Sequence, residues 1–319
     1  MTLVRIEVHA PADRADAAAE VLAGTAHAIN VTRMRGALVA PPGDLLACDL
    51  PRECADGAIE RLHEAGFCDT ESSVTIVEGM THLSLRADRA EHAAAGAASD
   101  ALIWRQLRDT LDEELVPTAT FLLFMVLAAM LGAIGVVTNS AILVVGAMVI
   151  GPEFGPLAAI FVAVLDGRWR SMTRGVVTLV LGFTVAIVAA SVLTLVLDAT
   201  GVFPEQLRLA GFVKEVATPT ALSLVIAMLA GVAGTLSITS SRSGTLIGVL
   251  ISVTTIPAAA DAAALLAYGE ERAALDAMLT LAINLTGMTT AGVLSLALHR
   301  RIVRPSRQVS EPSTGGSKR

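Results

Sequence analysis

The six residues Gly151-Pro152-Glu153-Phe154-Gly155-Pro156 place one carboxylate among two prolines and two glycines, inside an otherwise apolar stretch. Proline lacks the backbone N–H and crowds the preceding turn, so no unbroken helical ladder runs through them. In hydrocarbon every freed carbonyl needs a partner, and broken helices persist only inside protein or beside a water-filled cavity. A carboxylate in such a break is costly to bury and marks a functional position. Glu153 has the chemistry to bind a cation or take up a proton. The amides at the end of a half-helix are equally suited to an anionic group, so the break alone leaves the sign of the substrate open.

A second break is expected at Thr254-Thr255-Ile256-Pro257, with Asp261 one turn further on. Asn139, Thr254, Thr255 and Asn284 add side-chain oxygens and amides, whose commonest use between membrane helices is hydrogen bonding from helix to helix. Gly151, Pro152, Gly155, Pro156 and Pro257 shape the broken segments. Enzyme chemistry fits poorly. All six histidines (His9, His27, His63, His82, His92, His299) fall outside the apolar spans, and no His-Glu-x-x-His sequence occurs. Asp166 and Asp261 are expected near opposite membrane faces, too far apart for an aspartyl dyad. No phosphate-binding glycine loop with lysine is present. The expectation is a protein that is not an enzyme and carries no cofactor or metal.

These residues must be positioned by membrane helices. Apolar residues make up 54% of the 319, and about 20 in a row suffice to cross a bilayer. Six such spans are expected: Thr118–Val137, Asn139–Leu165, Thr173–Leu197, Thr220–Thr239, Thr245–Ala267 and Leu275–Leu298. The first two form a tight hairpin around Thr138-Asn139. At 1.5 Å per residue Glu153 lies about 21 Å from Asn139, somewhat past the midplane. Arg168, Arg170 and Arg174, then Arg242, then Arg300, Arg301, Arg304 and Arg307 fall on one side, against Arg208, Lys214 and Arg272 on the other. By the positive-inside rule both termini face the cytoplasm of a multi-pass inner-membrane protein.

Four parts follow: a head over 1–80, a linker and amphipathic juxtamembrane helix over 81–116, a membrane body over 117–299 and a disordered tail over 300–319. In the head, Leu3-Val4-Arg5-Ile6-Glu7-Val8 alternates as a half-buried strand does. Helical spacing follows over 12–23, strands over 28–35 and 44–50, a helix over 53–65 stopped by Gly66, and a strand over 73–77. That βαββαβ order predicts an α+β ferredoxin-like domain. Residues 1–116 carry a net charge of −10 and the rest +3, which argues against nucleic acid and against docking on anionic lipid. Cys48, Cys54 and Cys68 fit no zinc spacing and read as reduced thiols. The N-terminus opens with a strand pattern rather than a signal peptide.

An internal echo runs through the body. Residues 129–135 resemble 227–234, and Val145-Gly146-Ala147-Met148-Val149-Ile150 resembles Ile247-Gly248-Val249-Leu250-Ile251-Ser252. Three spans per half make the halves inverted, and inverted repeats with broken helices mark transporter sites. Gly146-Ala147-Met148 followed by Gly151-Pro152 and Gly155-Pro156 resembles the signature of the domain-of-unknown-function 389 proteins, hydrophobic membrane proteins of bacteria and archaea. The second half, through 230–234, 246–249, Ile256-Pro257 and Asn284-Leu285, is similar to the same family, and the likeness covers about residues 118–298. Two positions depart from the family pattern: a hydrophobic residue is usual where Glu153 stands, and a Pro-Pro pair where Pro257-Ala258 stands. The resemblance implies no substrate. Two functions stay open: a secondary transporter or channel for a small solute or ion, and a membrane-embedded sensor or scaffold whose head binds a ligand or partner. The partners expected are the lipid bilayer, that solute or ion, and further copies of the chain.

Overall fold

The computed structural model describes residues 3–68, 70–80, 84–93, 104–203, 221–239 and 245–302. The expected tail beyond 302, much of the 81–99 linker, residues 100–103 and the loop charges Arg208, Lys214, Arg242, Arg304 and Arg307 lie outside them. Two compact units form, one up to Arg105 and one over Gln106–Ile302.

In the first unit β1 (Leu3–Ala10), α1 (Ala15–Ala23), β2 (Ile29–Val39), β3 (Pro42–Pro51), α2 (Arg52–Glu64) and β4 (Ser73–Met80) follow one another. They build an antiparallel sheet in the order β2-β3-β1-β4. Alternation on β1 turns Val4, Ile6 and Val8 inward with Leu46, Cys48 and Leu50 of β3, under Leu22 of α1 and Ile59 and Leu62 of α2. On the opposite face Arg5 pairs with Asp49 at 2.7 Å, and Asn30 donates to the same carboxylate at 2.8 Å. Gly66, at φ +85°, ends α2: its N–H reaches His63 O and that of Phe67 reaches Leu62 O, both at 2.9 Å. Residues 85–93, expected within a linker, form a helix, α3 (Leu85–Ala93). Their alanines, arginines and acids are strong helix formers, with no glycine to interrupt them.

The second unit holds most of α4 (Trp104–Glu113), then α5 (Ala119–Val137), α6 (Ala141–Ile150), α7 (Phe154–Leu165), α8 (Trp169–Ala199), α9 (Ala221–Thr239), α10 (Thr245–Ala267) and α11 (Glu271–Ile302). Four of these, α5, α8, α9 and α11, are long and apolar enough to cross a membrane, and α6 with α7 makes a fifth span bent by 54°. At 23 residues α10 has the length for the sixth. Its first nine side chains lie outside the described ones, so composition alone does not class it with the others. Exposed apolar residues such as Leu123, Val177, Val188, Leu229 and Leu279 cover the outside of these helices, as a lipid-facing surface requires.

Helix α10 is the centre of the bundle and packs against all six of α5, α6, α7, α8, α9 and α11. Every residue from Thr254 to Leu265 is buried, the mark of a helix enclosed on all sides. Small side chains permit that enclosure. A Cβ on Gly132 of α5 would stand 2.9 Å from the Ala260 Cβ, and one on Gly292 of α11 would overlap the Phe161 ring.

The expected break in the fifth span is absent: Pro257 lies inside continuous helix. A single proline removes one hydrogen bond and crowds the turn before it, and neighbouring helices can make good the loss. The carbonyl that Pro257 leaves without its helical donor is that of Val253; Asn284 of α11 donates its side-chain amide to the next one, Thr254 O, at 2.9 Å.

Candidate functional site

The site begins at the bend. Gly151 ends α6 in an extended conformation and Glu153 stands at the N-cap of α7. Two prolines and two glycines in six residues cannot hold a helical ladder, and the chain turns by 54°. The Glu153 side chain does not cap the α7 amides. It folds instead toward the centre of the bundle, is fully buried, and accepts a hydrogen bond from Thr255 Oγ1 of α10 at 2.7 Å. Gly151 makes room: a Cβ there would overlap Glu153 Oε2 and stand 2.9 Å from Ile256 Cγ1.

Thr255 is the eleventh of the 23 residues of α10. Glu153 therefore sits halfway along the central helix.

Thr254 presents the adjacent face of α10 to α11. Its carbonyl takes the Asn284 amide, while Thr254 Oγ1 and Asn284 Oδ1, both buried, have no hydrogen-bond partner among the described residues. Glu153, Thr255, Thr254 and Asn284 thus meet at one level, where the bend, α10 and α11 converge. Asp261 belongs to the same helix two turns beyond Thr254, and is fully buried. Neither of its oxygens has a hydrogen-bond partner among the described residues.

Asn139 stands apart from this group. At φ +52° it is the left-handed residue that ends α5, where its N–H bonds Val136 O at 3.2 Å and the Ser140 N–H bonds Gly135 O at 2.8 Å. Its backbone makes the turn between α5 and α6.

Glu114 is a neighbour of the bend that its sequence position does not reveal. It follows α4, is exposed, and lays its carboxylate against Gly155 in the first turn of α7. The glycine is the one sequence signal for so close an approach. The far end of α7 is fixed by charge. Asp166 pairs with Arg108 of α4 at 2.7 Å and with Arg300 of α11 at 3.0 Å, and Arg168 pairs with Asp112 at 2.5 Å. The ends of α7 and α11 therefore lie on the same side as α4.

One spacing recurs. Glu153 and Thr255 are separated by 102 residues, as are Val145 and Ile247, which begin the two similar segments. Gly167 and Gly269, also 102 apart, end α7 and α10 with positive φ of +67° and +75°. Their caps match bond for bond: Gly167 N to Val164 O and Arg168 N to Ala163 O, Gly269 N to Leu266 O and Glu270 N to Leu265 O.

Comparison with known proteins adds family but not activity. No solved structure matches. An uncharacterized protein of Methanocaldococcus jannaschii is 21% identical over 173 residues, covering 54% of this chain and 52% of that protein. The chain thus spans about half the length of this relative. Residues 148–290, which hold the bend, Glu153, Thr254, Thr255, Asp261 and Asn284, match the family model described as domain of unknown function (DUF389). That segment is what the chain shares with the DUF389 domains, and the description carries no activity.

Proposed function

We propose that the chain is a six-span inner-membrane transporter or channel for a small cation, the proton included, with Glu153 as the binding carboxylate. The observation that carries this is the burial of Glu153 at a bent helix, halfway along the central helix, against Thr255. A carboxylate at that depth is costly unless it has work to do there. The geometry favours a positive substrate. Glu153 turns away from the α7 amides, Pro156 removes one of them, and Glu114 lies against the same turn. An anion at the bend would meet two carboxylates. The oxygens of Glu153, Thr255, Thr254 and Asn284 suit a hard cation or a proton.

The inverted repeat belongs to this reading. If two halves are related by a two-fold axis in the membrane plane, a contact between equivalent positions must lie on that axis, at mid-depth. The Glu153–Thr255 bond meets both conditions, given the 102-residue spacing and the position of Thr255 halfway along α10. A reciprocal pair supports it further. Ser191 of α8 donates to Ala263 O of α10 at 2.9 Å. The facing pair in the other half is Gly292 of α11 against Phe161 of α7: Phe161 and Ala263 are 102 residues apart, while Ser191 and Gly292 are 101 apart. Cytoplasmic termini are supported by Arg168, Arg170, Arg174, Arg300 and Arg301 gathering at one end of the bundle. For the head, the antiparallel β2-β3-β1-β4 order with two helices supports the ferredoxin-like reading.

A sensor or scaffold is the second reading, favoured by the close packing of Gly132 on Ala260 and of Gly231 on the Met288 backbone. The two separate in a thermal-shift series of the purified chain and its Glu153→Gln variant with lithium, sodium, potassium and magnesium chlorides at matched ionic strength. A cation at 100 times its Kd adds about 2.7 kcal/mol to the folded state. The transporter reading expects at least one of them, or acid pH, to raise Tm in the wild type and not in the variant. Identical profiles for both proteins would remove Glu153 from the site and leave the scaffold reading.

A further inference from the structure

Asp261 has no place in the Glu153 site, and its surroundings are unlike that site's. It is fully buried, between Ala260 and Ala262, with Pro257, Ala258, Ala264 and Leu265 at the helical distances that share its face. Neither carboxylate oxygen meets a donor among the described residues. A bare carboxylate there would forgo its hydration with nothing to replace it.

The helices around it supply no counter-charge. Helices α5, α6, α7 and α9 contain no charged residue, and Glu153 precedes α7. On α8 the charges are Arg170, Arg174 and Asp198, all within a turn or two of its ends. On α11 they are Glu271, Arg272, Asp276, His299, Arg300 and Arg301, and Asp276 is exposed on the side away from buried Ala274 and Ala277. A metal ion fits as poorly. Hard cations take about six oxygens, whereas the residues of α10 that share this face are Pro257, Ala258, Ala264 and Leu265, and the unbonded acceptors Thr254 Oγ1 and Asn284 Oδ1 stand two helical turns away.

We propose that Asp261 is a proton-binding site, occupied by a proton in this closed arrangement of the bundle. The proton comes from the aqueous phase, adds to one carboxylate oxygen and leaves by the same bond. Its route is marked on α10 itself. Thr254, Asp261 and Tyr268 recur every seven residues, so they share one helical face at steps of about 10 Å. Tyr268 is half-buried at the end of that stripe and Thr254 adjoins the Glu153 site. Packing does not demand the acid: the position 102 residues earlier holds Ala159, also buried. This inference stands without the Glu153 reading, because it concerns occupancy of Asp261 and not flux.

The test is an infrared pH-difference spectrum of the full chain in lipid. The expected signal is the carbonyl stretch of a protonated carboxyl group that bleaches at alkaline pH. It should shift in wild-type protein grown on isotope-labelled aspartate and stay put with labelled glutamate. It should vanish in Asp261→Asn and Asp261→Ala and persist in Glu153→Gln. Both Asp261 variants should melt at or above the wild-type temperature, since they remove an unpaired carboxyl from an alanine-lined position. A band that follows labelled glutamate, or one unchanged in both Asp261 variants, would overturn the proposal. Bleaching by sodium chloride at fixed pH would overturn the choice of a proton over a metal ion.

Discussion

Glu153 and Thr255 hydrogen-bond to each other at 2.7 Å across 102 residues, the spacing that also relates the helix-ending glycines Gly167 and Gly269. One bond therefore joins the bent span to the unbent helix in the register of the sequence echo. At that level the first member carries Gly151-Pro152-Glu153 and bends, while the second carries Val253-Thr254-Thr255 and stays helical. The difference is chemical. Two prolines and two glycines overwhelm a helix, whereas Pro257 alone is accommodated inside one.

The Glu153–Thr255 bond predicts unequal effects of two Glu153 substitutions. Glu153→Gln keeps an acceptor for Thr255 Oγ1 and should leave Tm within a few degrees of wild type. Glu153→Ala strands the buried hydroxyl and opens a cavity, and should cost about 2–3 kcal/mol. Thermal unfolding in detergent measures both, and equal losses would mean that the hydrogen bond is not what holds the bend.

Asn284 and Pro257 should be energetically coupled. Asn284→Leu removes the donor to Thr254 O and should cost about 1–2 kcal/mol in the wild-type background. With Pro257→Ala also present the crowded turn relaxes, and the cost should fall by roughly 0.5–1.5 kcal/mol. Strict additivity in the double-mutant cycle would deny that the two residues act on one turn of α10.

Gly132 should tolerate little. Its Cβ position is 2.9 Å from Ala260 Cβ, so Gly132→Leu forces α5 from α10 and should cost about 3 kcal/mol or prevent folding. The same change at Gly57, which has nothing near its Cβ position, should lower Tm far less.

In the head the cysteines should separate by reactivity. Burial pushes the Cys48 thiol up to about 11, so it stays protonated at neutral pH, while Cys68 is exposed. Brief alkylation at pH 7.5 should label Cys68 first and Cys48 only on unfolding, as peptide mass mapping would read out. Acid should weaken the same unit. The Gly36 N–H and Arg33 hold Asp44 below the usual carboxylate range, so its contribution is present above that range and is lost as pH falls through the lowered value. An Asp44→Asn variant should show a shallower loss of Tm between pH 5 and pH 3.

Much of this was legible in the residues. Alternation on Leu3–Val8 marks β1, Gly66 marks the end of α2, and the bounds 245–267 of the fifth span are those of α10. The bend at 151–153 follows from its prolines and glycines. What the residues hide is tertiary. Pro257 reads as a break because the six helices that enclose α10 are far from it in sequence. Asn139 reads both as a hairpin residue and as a side chain for bonding from helix to helix, and its positive φ gives it to the hairpin. Glu114 carries no local signal at all, since its approach to Gly155 depends on how the chain leaves α4.

Flux through the reconstituted chain tests the central claim most directly. Liposomes holding the wild type, Glu153→Gln or Thr255→Val would be loaded with a pH-sensitive dye, and gradients of protons, sodium or potassium imposed. The account predicts movement of at least one of these cations by the wild type, lowered by about tenfold or more in Glu153→Gln, as expected for loss of a group that meets the ion directly. Thr255→Val should fall between the two. Wild-type liposomes no leakier than empty ones to every cation, or a Glu153→Gln flux equal to wild type, would contradict it.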